Sequence, residues 1–281
     1  MNKASEFTAT YGPWALVTGA SSGIGEQFAR QLARRGCNVL VVARRAELLD
    51  KLSRELTRPH GPTVESIVAD LGEAGGVDRV VAAVGQRDVG LVVSNAGFGL
   101  KGPFTQSSRE TLETMFNVNA RAPLLLLHAL LPRLLARSRA GVILTGSQEG
   151  EAPFPWSAAY GATKAFVHSL GLALYGELAG TSVDLLVLAP GATDTDAPLM
   201  QGFKREALPP LMPPAEVARQ AMQQLGRTPF HVPGLENRKF VTLMRRMPRD
   251  KVIAFNAGNM AAALEASGHP KPKLRPGTPT R

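Results

Sequence analysis

The sequence predicts an α/β fold in which a parallel sheet of about seven strands is covered by helices on both faces. Short apolar segments alternate along the chain with longer segments whose apolar residues recur at helical spacing. A glycine-rich turn joins the first apolar segment to the first helical one. Because no linker or internal repeat interrupts this alternation, we expect one domain over residues 1–235.

The first strand and the first helix flank the glycine-rich turn. Residues 1–11 are polar and are expected to form a loose lead-in, whereas 14–17 is expected to be a short buried strand. The turn from Thr18 to Gly25 reads TGASSGIG, and the helix after it carries apolar residues at helical spacing: Ile24, Phe28 and Leu32. Glycines at such a turn let the backbone approach a pyrophosphate, whose charge is stabilised by free N–H groups at the helix start. The alternative is a plain flexible turn.

The second expected strand, 38–43, indicates which dinucleotide is bound. It runs directly into Arg44 and Arg45. A unit that binds the unphosphorylated dinucleotide usually carries an acid near this point, which holds the ribose hydroxyls. Two guanidinium groups suit a 2′-phosphate instead, whereas an acid would repel one. The sequence therefore favours NADP(H), with NAD(H) as the alternative.

The elements that follow continue the alternation. We expect strands over 64–69, 91–93, 142–144, 183–189 and 230–232, and helices over 46–56, around 77–81, over 107–136, and from Tyr160 to about 178. Each strand is a short apolar run of the kind found in sheets that are buried on both faces. Their carboxyl ends would lie at one edge of the sheet, where open α/β folds bind ligands.

A tyrosine and a lysine on the last of these helices suggest chemistry. Tyr160 and Lys164 are one helical turn apart, and Ser147 lies thirteen residues upstream of the tyrosine. An ammonium near a phenol stabilises the phenolate, so the tyrosine pKa is expected to fall from about 10. Such a tyrosine can act as a general acid or base. The spacing alone also arises by chance between two solvated side chains.

Together these residues resemble the short-chain dehydrogenase/reductase family over roughly residues 12–235. The matching motifs are Thr18 to Gly25, Asp70-Leu71, Asn95-Ala96-Gly97, Asn119, Ser147, Tyr160-x-x-x-Lys164, Pro190-Gly191 and Thr195. The resemblance implies a Rossmann-type doubly wound sheet and an oxidoreductase that interconverts a carbonyl and an alcohol by hydride transfer. It also implies a homo-oligomer, either a dimer or a tetramer.

The resemblance assigns the catalytic roles residue by residue. Tyr160 would donate a proton to the substrate oxygen, and Lys164 would lower the tyrosine pKa and bind the nicotinamide ribose. Ser147 would hold the carbonyl oxygen; otherwise it is a loop hydroxyl. Asn119 would interrupt its long helix and hold a water that relays protons to Lys164. The alternative for Asn119 is a surface amide, with Asn117 as a nearby competitor.

The cofactor-binding residues follow from the same resemblance. The first set would shape the pyrophosphate turn and its contacts: Gly19, Ser21, Ser22, Gly23, Ile24 and Gly25. The second set would contact the adenosine: Arg44, Arg45, Asp70, Leu71, Asn95, Ala96 and Gly97. Tyr160, Lys164, Pro190, Gly191 and Thr195 would lie around the nicotinamide and its phosphates. The alternative for Asp70 is a turn former at a strand end. No metal is expected, because the five histidines lack metal-ligand spacing.

Two features near Ser147 depart from the family pattern. Many relatives carry a second serine where this chain has Gly146. Glu149 and Glu151 place acids close to the expected active site. They could contact a polar or cationic substrate, but we expect exposed loop acids.

The substrate is expected to be set by two loops, over 148–156 and 192–214. Both contain large apolar side chains: Phe154, Trp156, Leu199, Met200, Phe203, Leu208, Leu211 and Met212. They favour reduction of an apolar ketone or aldehyde, although the same residues could simply pack the loops. A non-catalytic dinucleotide-binding regulator or scaffold is the alternative function. The presence of Ser147, Tyr160 and Lys164 argues against it.

Composition and charge restrict the remaining possibilities. The chain has 281 residues, of which 44% are hydrophobic and 20% charged, as in an ordinary globular protein. The densest apolar run, 124–135, is only about a dozen residues long, too short to span a bilayer. The single Cys37 and the absence of an apolar leader favour a reducing, cytoplasmic setting. The net charge of +9 is dispersed except at the C-terminus, and the chain has no nucleic-acid-binding motif.

The C-terminal region is expected to differ from the rest of the chain. Residues 236–266 should form a helical extension packed on the domain, with apolar residues at helical spacing: Phe240, Leu243, Met244 and Met247. Basic residues flank this helix, so peripheral contact with a membrane is the alternative to packing. Residues 267–281 are Pro-rich and charged, which predicts disorder.

Overall fold

The computed structural model describes residues 3–270, with side chains described from residue 6 onward. Seven parallel strands form one sheet in the order β3-β2-β1-β4-β5-β6-β7. The strands are β1 Trp14–Thr18, β2 Asn38–Ala43, β3 Val64–Val68, β4 Val89–Ser94, β5 Ala140–Thr145, β6 Val183–Leu188 and β7 Phe230–His231. The order of strands reverses between β1 and β4, which makes the carboxyl ends of these two strands the switch point where such sheets bind ligands.

The helices connect the strands in the expected alternation. They are α1 Lys3–Tyr11, α2 Gly23–Arg34, α3 Ala46–Leu56, α4 Gly76–Val84, α5 Arg109–Phe116, α6 Ala122–Leu135, α7 Ala158–Glu177, α8 Asp196–Met200, α9 Pro214–Gln224, α10 Leu235–Arg246 and α11 Arg249–Ala266. None of the helices within residues 3–270 is both long and apolar enough to cross a membrane.

Two buried clusters lie on opposite faces of the sheet. Along β1, Ala15 and Val17 belong to one cluster and Leu16 to the other, because successive side chains of a strand point to opposite faces. The first cluster includes Phe28 of α2 with residues of α3 and α9. The second includes Leu126 of α6 with residues of α4 and α7. The predicted parallel sheet with helices on both faces is confirmed.

The N-terminal segment is a helix rather than the expected loose lead-in. Tyr11 of α1 is buried, and its hydroxyl donates to the Asp184 carboxylate on β6 over 2.6 Å. Phe7 packs against the core, and the Thr8 hydroxyl donates to the Arg35 carbonyl over 2.6 Å. The prediction was wrong because these anchors lie far away in sequence, and a helix this short depends on such packing.

The helix expected over 107–136 is interrupted. A five-residue π-type segment, Asn117–Arg121, separates α5 from α6. Single π-type turns occur mostly at functional sites. The turn changes the direction in which Asn117 and Asn119 point, which matters for the site described below.

The C-terminal region folds into two helices that contact different parts of the domain. Val241 of α10 is buried with Ala189 and Val232, whereas Leu243 is 48% exposed. The expected apolar face of this helix is therefore only partly buried. In α11, Met260 and Leu264 pack against Phe203, which lies after α8.

The beginning of the segment expected to be disordered makes specific contacts. The Ser267 hydroxyl oxygen accepts from the Lys204 N–H over 3.0 Å. His269 Nε2 lies 3.0 Å from the Gly202 carbonyl oxygen. Residues 271–281 lie outside the described part of the chain.

Candidate active site

Tyr160 and Lys164 lie on α7, next to the carboxyl end of β5. Lys164 is buried, and its ammonium donates to the Thr145 carbonyl over 3.0 Å. It lies 5.7 Å from the centroid of the Tyr160 ring. Burial lowers the pKa of Lys164 from 10.5 to about 8.

The pKa of Tyr160 is raised, whereas the spacing of Tyr160 and Lys164 predicts that it is lowered. Burial raises the pKa of the Tyr160 phenol, the Glu149 carboxylate raises it further, and the Ser147 hydroxyl acts in the opposite direction. The expected lowering of this pKa was wrong because desolvation of the phenolate is the largest effect. Tyr160 therefore carries its proton at neutral pH.

Ser147 lies two residues after the end of β5 and caps a short 3₁₀ turn. It is buried, and its hydroxyl oxygen accepts from the Glu149 N–H over 3.2 Å. Its backbone N–H donates to Nε2 of His168 over 3.3 Å. Its hydroxyl also forms a hydrogen bond with the Tyr160 hydroxyl, which places the two hydroxyl groups side by side.

Asn119 lies in the π-type segment and is almost fully buried. Its amide oxygen accepts from the Phe98 N–H over 3.0 Å, and its amide nitrogen donates to the Phe98 carbonyl over 2.8 Å. A Cβ atom on Gly97 would lie 3.0 Å from Asn119 Oδ1 and 3.1 Å from Lys164 Nζ, so the amide and the ammonium both face this glycine. The competitor Asn117 points elsewhere and donates to the Gly72 carbonyl over 3.1 Å.

The glycine-rich turn forms a tight cradle before α2. Gly19 and Gly23 have φ angles of +68° and +59°, in the region that favours glycine. A Cβ atom on Gly25 would lie 2.2 Å from the Gly19 carbonyl oxygen, so a side chain there would fill the cradle. The turn lies at the N-terminus of α2, where the backbone N–H groups are free to bind an anion. The cradle therefore fits the pyrophosphate of a dinucleotide. Ile24 packs against the core and fixes the start of the helix.

The residues around this cradle are held by hydrogen bonds. The Thr18 hydroxyl oxygen accepts from the backbone N–H groups of Asn95 and Ala96, over 2.9 and 3.0 Å, and so ties β1 to β4 at the switch point. Arg45 donates from Nη2 to the hydroxyl oxygens of Ser21 and Ser22, over 2.9 and 2.8 Å. The turn and the basic end of β2 are therefore one surface.

The part of this surface that follows β2 is basic and exposed. The Arg44 and Arg45 side chains follow β2, and Nη1 of Arg44 lies 3.5 Å from Oδ2 of Asp70. Oδ1 of Asp70 accepts from the Gly72 N–H over 2.8 Å. Leu71 is buried in the core, so only its backbone faces this side. Two exposed guanidinium groups at this edge fit a 2′-phosphate.

Pro190, Gly191 and Thr195 lie on the loop after β6. The Pro190 carbonyl accepts from the Gln148 N–H over 2.9 Å, which joins this loop to the loop that carries Ser147. A Cβ atom on Gly191 would lie 2.7 Å from Oε1 of Gln148. Thr195 caps α8, and a Cβ atom on Gly23 would lie 2.9 Å from its methyl group. The loop therefore closes against the glycine-rich turn.

Glu149 and Glu151 are not the exposed loop acids that the sequence predicts. Both Glu149 carboxylate oxygens accept from the Lys101 ammonium over 2.6 Å, and Lys101 also donates to the Ser157 hydroxyl over 2.7 Å. The Lys101 side chain is only 4% exposed, and its ammonium lies 5.0 Å from the centroid of the Tyr160 ring. The prediction was wrong because the partner of Glu149 comes from a loop that is remote in sequence.

Glu151 belongs to a second buried group. Its Oε1 lies 3.0 Å from Nδ1 of His168, and its Oε2 accepts from Nε of Arg245 over 2.7 Å. Burial of Glu151 disfavours its ionisation, but the bonds from His168 and Arg245 outweigh that effect and hold the pKa of Glu151 below its usual value. Within residues 3–270 there is no group of three or more His, Cys, Asp or Glu side chains placed to hold a metal ion.

The loop around α8 reaches over the site from the other side. A Cβ atom on Gly99 would lie 2.8 Å from Nε2 of Gln201 and 3.3 Å from the Tyr160 ring, so Gln201 approaches the tyrosine. Leu199 and Met200 are 49% and 77% exposed, whereas Phe203 is buried near Phe154 and Trp156. Some of the apolar residues of the two loops therefore pack against one another, whereas others are exposed to solvent.

Sequence reasoning missed two residues that shape the site. Lys101 and His168 have almost no exposed side-chain surface, and each connects loops that carry site residues. The sequence places Thr18 at the start of the glycine-rich turn but does not show that its hydroxyl ties β1 to β4. His168 could have been found, because Tyr160, Lys164 and His168 follow at four-residue steps on one helix face. Lys101 carries no such signal, since it is a lone lysine in a loop.

Known proteins with similar sequences include several dehydrogenases. The family model described as short chain dehydrogenase matches residues 13–203. A 7beta-hydroxysteroid dehydrogenase of Clostridium sardiniense is 30% identical over 249 residues, which are 88% of this chain and 95% of that protein. The 7beta-hydroxysteroid dehydrogenase of Collinsella aerofaciens is 32% identical over 235 residues, 82% of this chain and 89% of its own length.

Solved structures agree with these relatives. A structure from work on the stereoselectivity of 7beta-hydroxysteroid dehydrogenase has a TM-score of 0.81 at 29% identity, covering 88% of this chain and 97% of that one. A short-chain dehydrogenase from Sphingobium yanoikuyae in complex with NADPH has a TM-score of 0.75 at 31% identity, covering 84% and 96% of the two chains. With its sheet, its glycine-rich cradle and its Ser, Tyr and Lys side chains, the chain therefore belongs to the short-chain dehydrogenase/reductase family and is an NAD(P)-dependent oxidoreductase.

Proposed function

We propose that the protein is an NADP(H)-dependent reductase that converts an apolar ketone or aldehyde into an alcohol. The observation that carries the proposal is the arrangement of Ser147, Tyr160 and Lys164 at the end of β5, beside a cradle that fits a pyrophosphate. A regulator that only binds the dinucleotide needs no partly buried phenol with a hydroxyl and an ammonium beside it. When bound, NADPH supplies a hydride to the carbonyl carbon, and the protein supplies the proton.

Ser147 and Tyr160 act on the carbonyl oxygen. The Ser147 oxygen accepts from the Glu149 N–H, and its own hydrogen, which faces Tyr160, would be donated to a substrate oxygen that enters between the two hydroxyl groups. Tyr160 keeps its proton at neutral pH, because burial and Glu149 both raise the pKa of the phenol. A protonated, desolvated phenol is a suitable general acid for the oxygen as negative charge develops on it.

Lys164 and Asn119 support this proton transfer. With a pKa of about 8, Lys164 is mostly an ammonium at neutral pH and stabilises the phenolate that remains after the proton has left. Asn119 faces the same glycine as the ammonium, and its contacts with Phe98 hold the loop after β4. We propose that Asn119 holds a water that returns protons to Lys164.

The cofactor would be held by the residues that the motifs single out. The pyrophosphate would lie over Gly19, Gly23 and Gly25, with Ser21 and Ser22 at its edge. Asp70, Leu71 and the backbone of residues 95–97 would contact the adenosine, and residues 190, 191 and 195 the nicotinamide end. Arg44 and Arg45 would bind the 2′-phosphate, which supports NADP(H) over NAD(H).

The choice of NADP(H) is tested by replacing both arginines. Loss of a charge-assisted phosphate contact costs about 1.5–3 kcal/mol, so the Arg44→Ala/Arg45→Ala variant should bind NADPH far more weakly. Its affinity for NADH should change little, because NADH has no 2′-phosphate. Binding is measured by titrating each dinucleotide against the fluorescence of Trp14 and Trp156. Equal affinity of the wild type and the variant for NADPH would contradict the proposal.

The proposed substrate class is supported by the solvent-exposed apolar side chains of the two loops. Leu199 and Met200 remain exposed beside Gln201, which approaches Tyr160. Two of the relatives named above are 7beta-hydroxysteroid dehydrogenases, so we include oxosteroids among the expected substrates. A panel of an oxosteroid, an aromatic ketone, a fatty aldehyde and a ketose, assayed by consumption of NADPH, tests the class. Turnover of the ketose alone would contradict it.

A further inference from the structure

We propose that His168 is a positioning residue that fixes the backbone of Ser147, and that Glu151 and Arg245 hold His168 in the required form. The inference deepens the proposed function and rests on it, because that function assigns the carbonyl oxygen to Ser147. It adds to the site a buried histidine, a carboxylate and an arginine from the C-terminal helix α10.

The hydrogen bonds of His168 define its role. The side chain is buried on α7, one turn after Lys164. Its Nε2 accepts from the Ser147 backbone N–H over 3.3 Å, while its Nδ1 lies 3.0 Å from Oε1 of Glu151. A carboxylate can only accept, so the ring proton lies on Nδ1 and leaves Nε2 as the acceptor. Glu151 therefore selects the tautomer that can bind Ser147.

This contact fixes the serine at the point where its geometry matters. Ser147 lies between a strand and a short 3₁₀ turn, and its hydroxyl is held from the other side by the Glu149 N–H. Catalytic groups must stay within about 0.5 Å of the productive position. Loss of the bond to His168 would let the backbone rotate and carry the hydroxyl away from Tyr160.

Arg245 completes the assembly from a remote part of the chain. Its Nε donates to Oε2 of Glu151 over 2.7 Å, and its guanidinium lies 5.2 Å from the centroid of the Phe230 ring. Phe230 meets the His168 ring edge-on, with centroids 5.1 Å apart. The histidine is therefore enclosed by a carboxylate, an aromatic ring and, behind them, a cation of α10.

Gly146 provides an independent reason to treat His168 as part of the site. A Cβ atom on Gly146 would lie 2.2 Å from Nε2 of His168. Real Cβ atoms essentially never come within 3.0 Å of another heavy atom, so any side chain at this position would displace the histidine. The glycine at position 146 is thus explained by the histidine that occupies the space.

Two conservative substitutions separate positioning from packing. In His168→Gln the side-chain amide can still reach the Ser147 N–H, whereas in His168→Asn it reaches only the position of Nδ1. Both remove the ring that packs on Phe230. Misplacement of a catalytic group by about 1 Å costs up to ~100-fold in rate, so kcat should fall on the order of 10- to 100-fold in His168→Asn. In His168→Gln kcat should fall no more than about threefold, with the KM for NADPH unchanged in both.

A second readout does not depend on turnover. Hydrogen–deuterium exchange of the peptide that contains Ser147 should be faster in His168→Asn than in the wild type and close to the wild type in His168→Gln. Tyr11→Phe, which loses the bond to Asp184 far from the site, is the control for general destabilisation. It should change the melting temperature but neither kcat nor this exchange.

The two proposals fail in different ways. Equal loss of kcat in His168→Asn and His168→Gln, or exchange at Ser147 that is the same in His168→Asn and the wild type, would overturn the role of His168. Full turnover by a Tyr160→Phe variant would overturn the proposed function instead. The exchange experiment would still decide whether His168 fixes the Ser147 backbone.

Discussion

The ionisation of two residues determines how the site works. Tyr160 is held as a phenol by its own desolvation and by Glu149, and Lys164 is desolvated to a pKa of about 8. The two shifts are complementary in a reductase, because the acid stays protonated and the neighbouring amine is charged just where the phenolate would form.

The pKa of Lys164 predicts how the reduction rate depends on pH. Burial disfavours the ammonium, so the lysine loses its charge as the pH rises through about 8 rather than 10.5. Below that pH the ammonium stabilises the phenolate, and above it this stabilisation disappears. We therefore expect kcat for reduction to be level under weakly acidic and neutral conditions and to fall above about pH 8.

The measurement is kcat against pH for the wild type and for Lys164→Met. The variant should be slower throughout and should lack the fall near pH 8. Lys239→Met is the matched control, since this lysine lies on the exposed side of α10 and pairs only with Glu236 in the described structure. A wild-type profile that is flat up to pH 10, or that rises above pH 8, would contradict the assignment.

At the scale of elements, the site is assembled from loops after three neighbouring strands. The loop after β4 contributes Lys101, and the loop after β5 contributes Glu149 and Ser157. The ammonium of Lys101 has all its donors occupied by these partners. This ion pair therefore joins the two loops on either side of the Tyr160 ring.

Breaking the ion pair should destabilise the protein strongly. Removing one partner of a buried pair leaves the other charge uncompensated and costs about 3–5 kcal/mol. We expect this loss of unfolding free energy in Glu149→Gln, measured by chemical denaturation. Glu236→Gln, which breaks the exposed pair with Lys239, should cost less than about 1 kcal/mol. Equal stability of the two variants would show that Lys101 is not held in this way.

The sequence predicts those elements whose signal is local. Buried parallel strands appear as continuous apolar runs, and Tyr160 and Lys164 are one helical turn apart, so both could be found without a structure. The helix α1 could not, because Tyr11 is anchored by Asp184, more than half the chain away. The same holds for the bonds of Lys101 with Glu149 and of His168 with Ser147. These contacts are created by packing, and their partners leave no periodic pattern.

At the scale of the whole molecule, charge and apolar surface are unevenly distributed. Residues 236–281 contain ten Lys or Arg and three Asp or Glu, and so carry +7 of the net charge of +9. Apolar side chains remain exposed on three helices that lie beside the site: Phe116 on α5, Leu124 on α6, and Leu172 and Tyr175 on α7. A surface of this kind is suited to contact a second copy of the chain.

The dimer or tetramer that the family resemblance implies is tested by the mass of the protein in solution. Light scattering after gel filtration should give the mass of a dimer or a tetramer. Leu172→Glu should reduce that mass, because it places a charge in the expected interface, whereas Leu235→Glu on the exposed face of α10 should not. A wild-type mass equal to a single chain would contradict the proposal.

The central claim is that Tyr160 gives the proton when a carbonyl is reduced with NADPH. The most direct test is the rate of NADPH consumption with the best substrate of the panel, for the wild type and for Tyr160→Phe, together with the NADPH affinity of both. A positioned general acid contributes about 10²- to 10⁴-fold, so the variant should lose at least about 100-fold in kcat while binding NADPH as the wild type does. Turnover by Tyr160→Phe at the wild-type rate would contradict the claim.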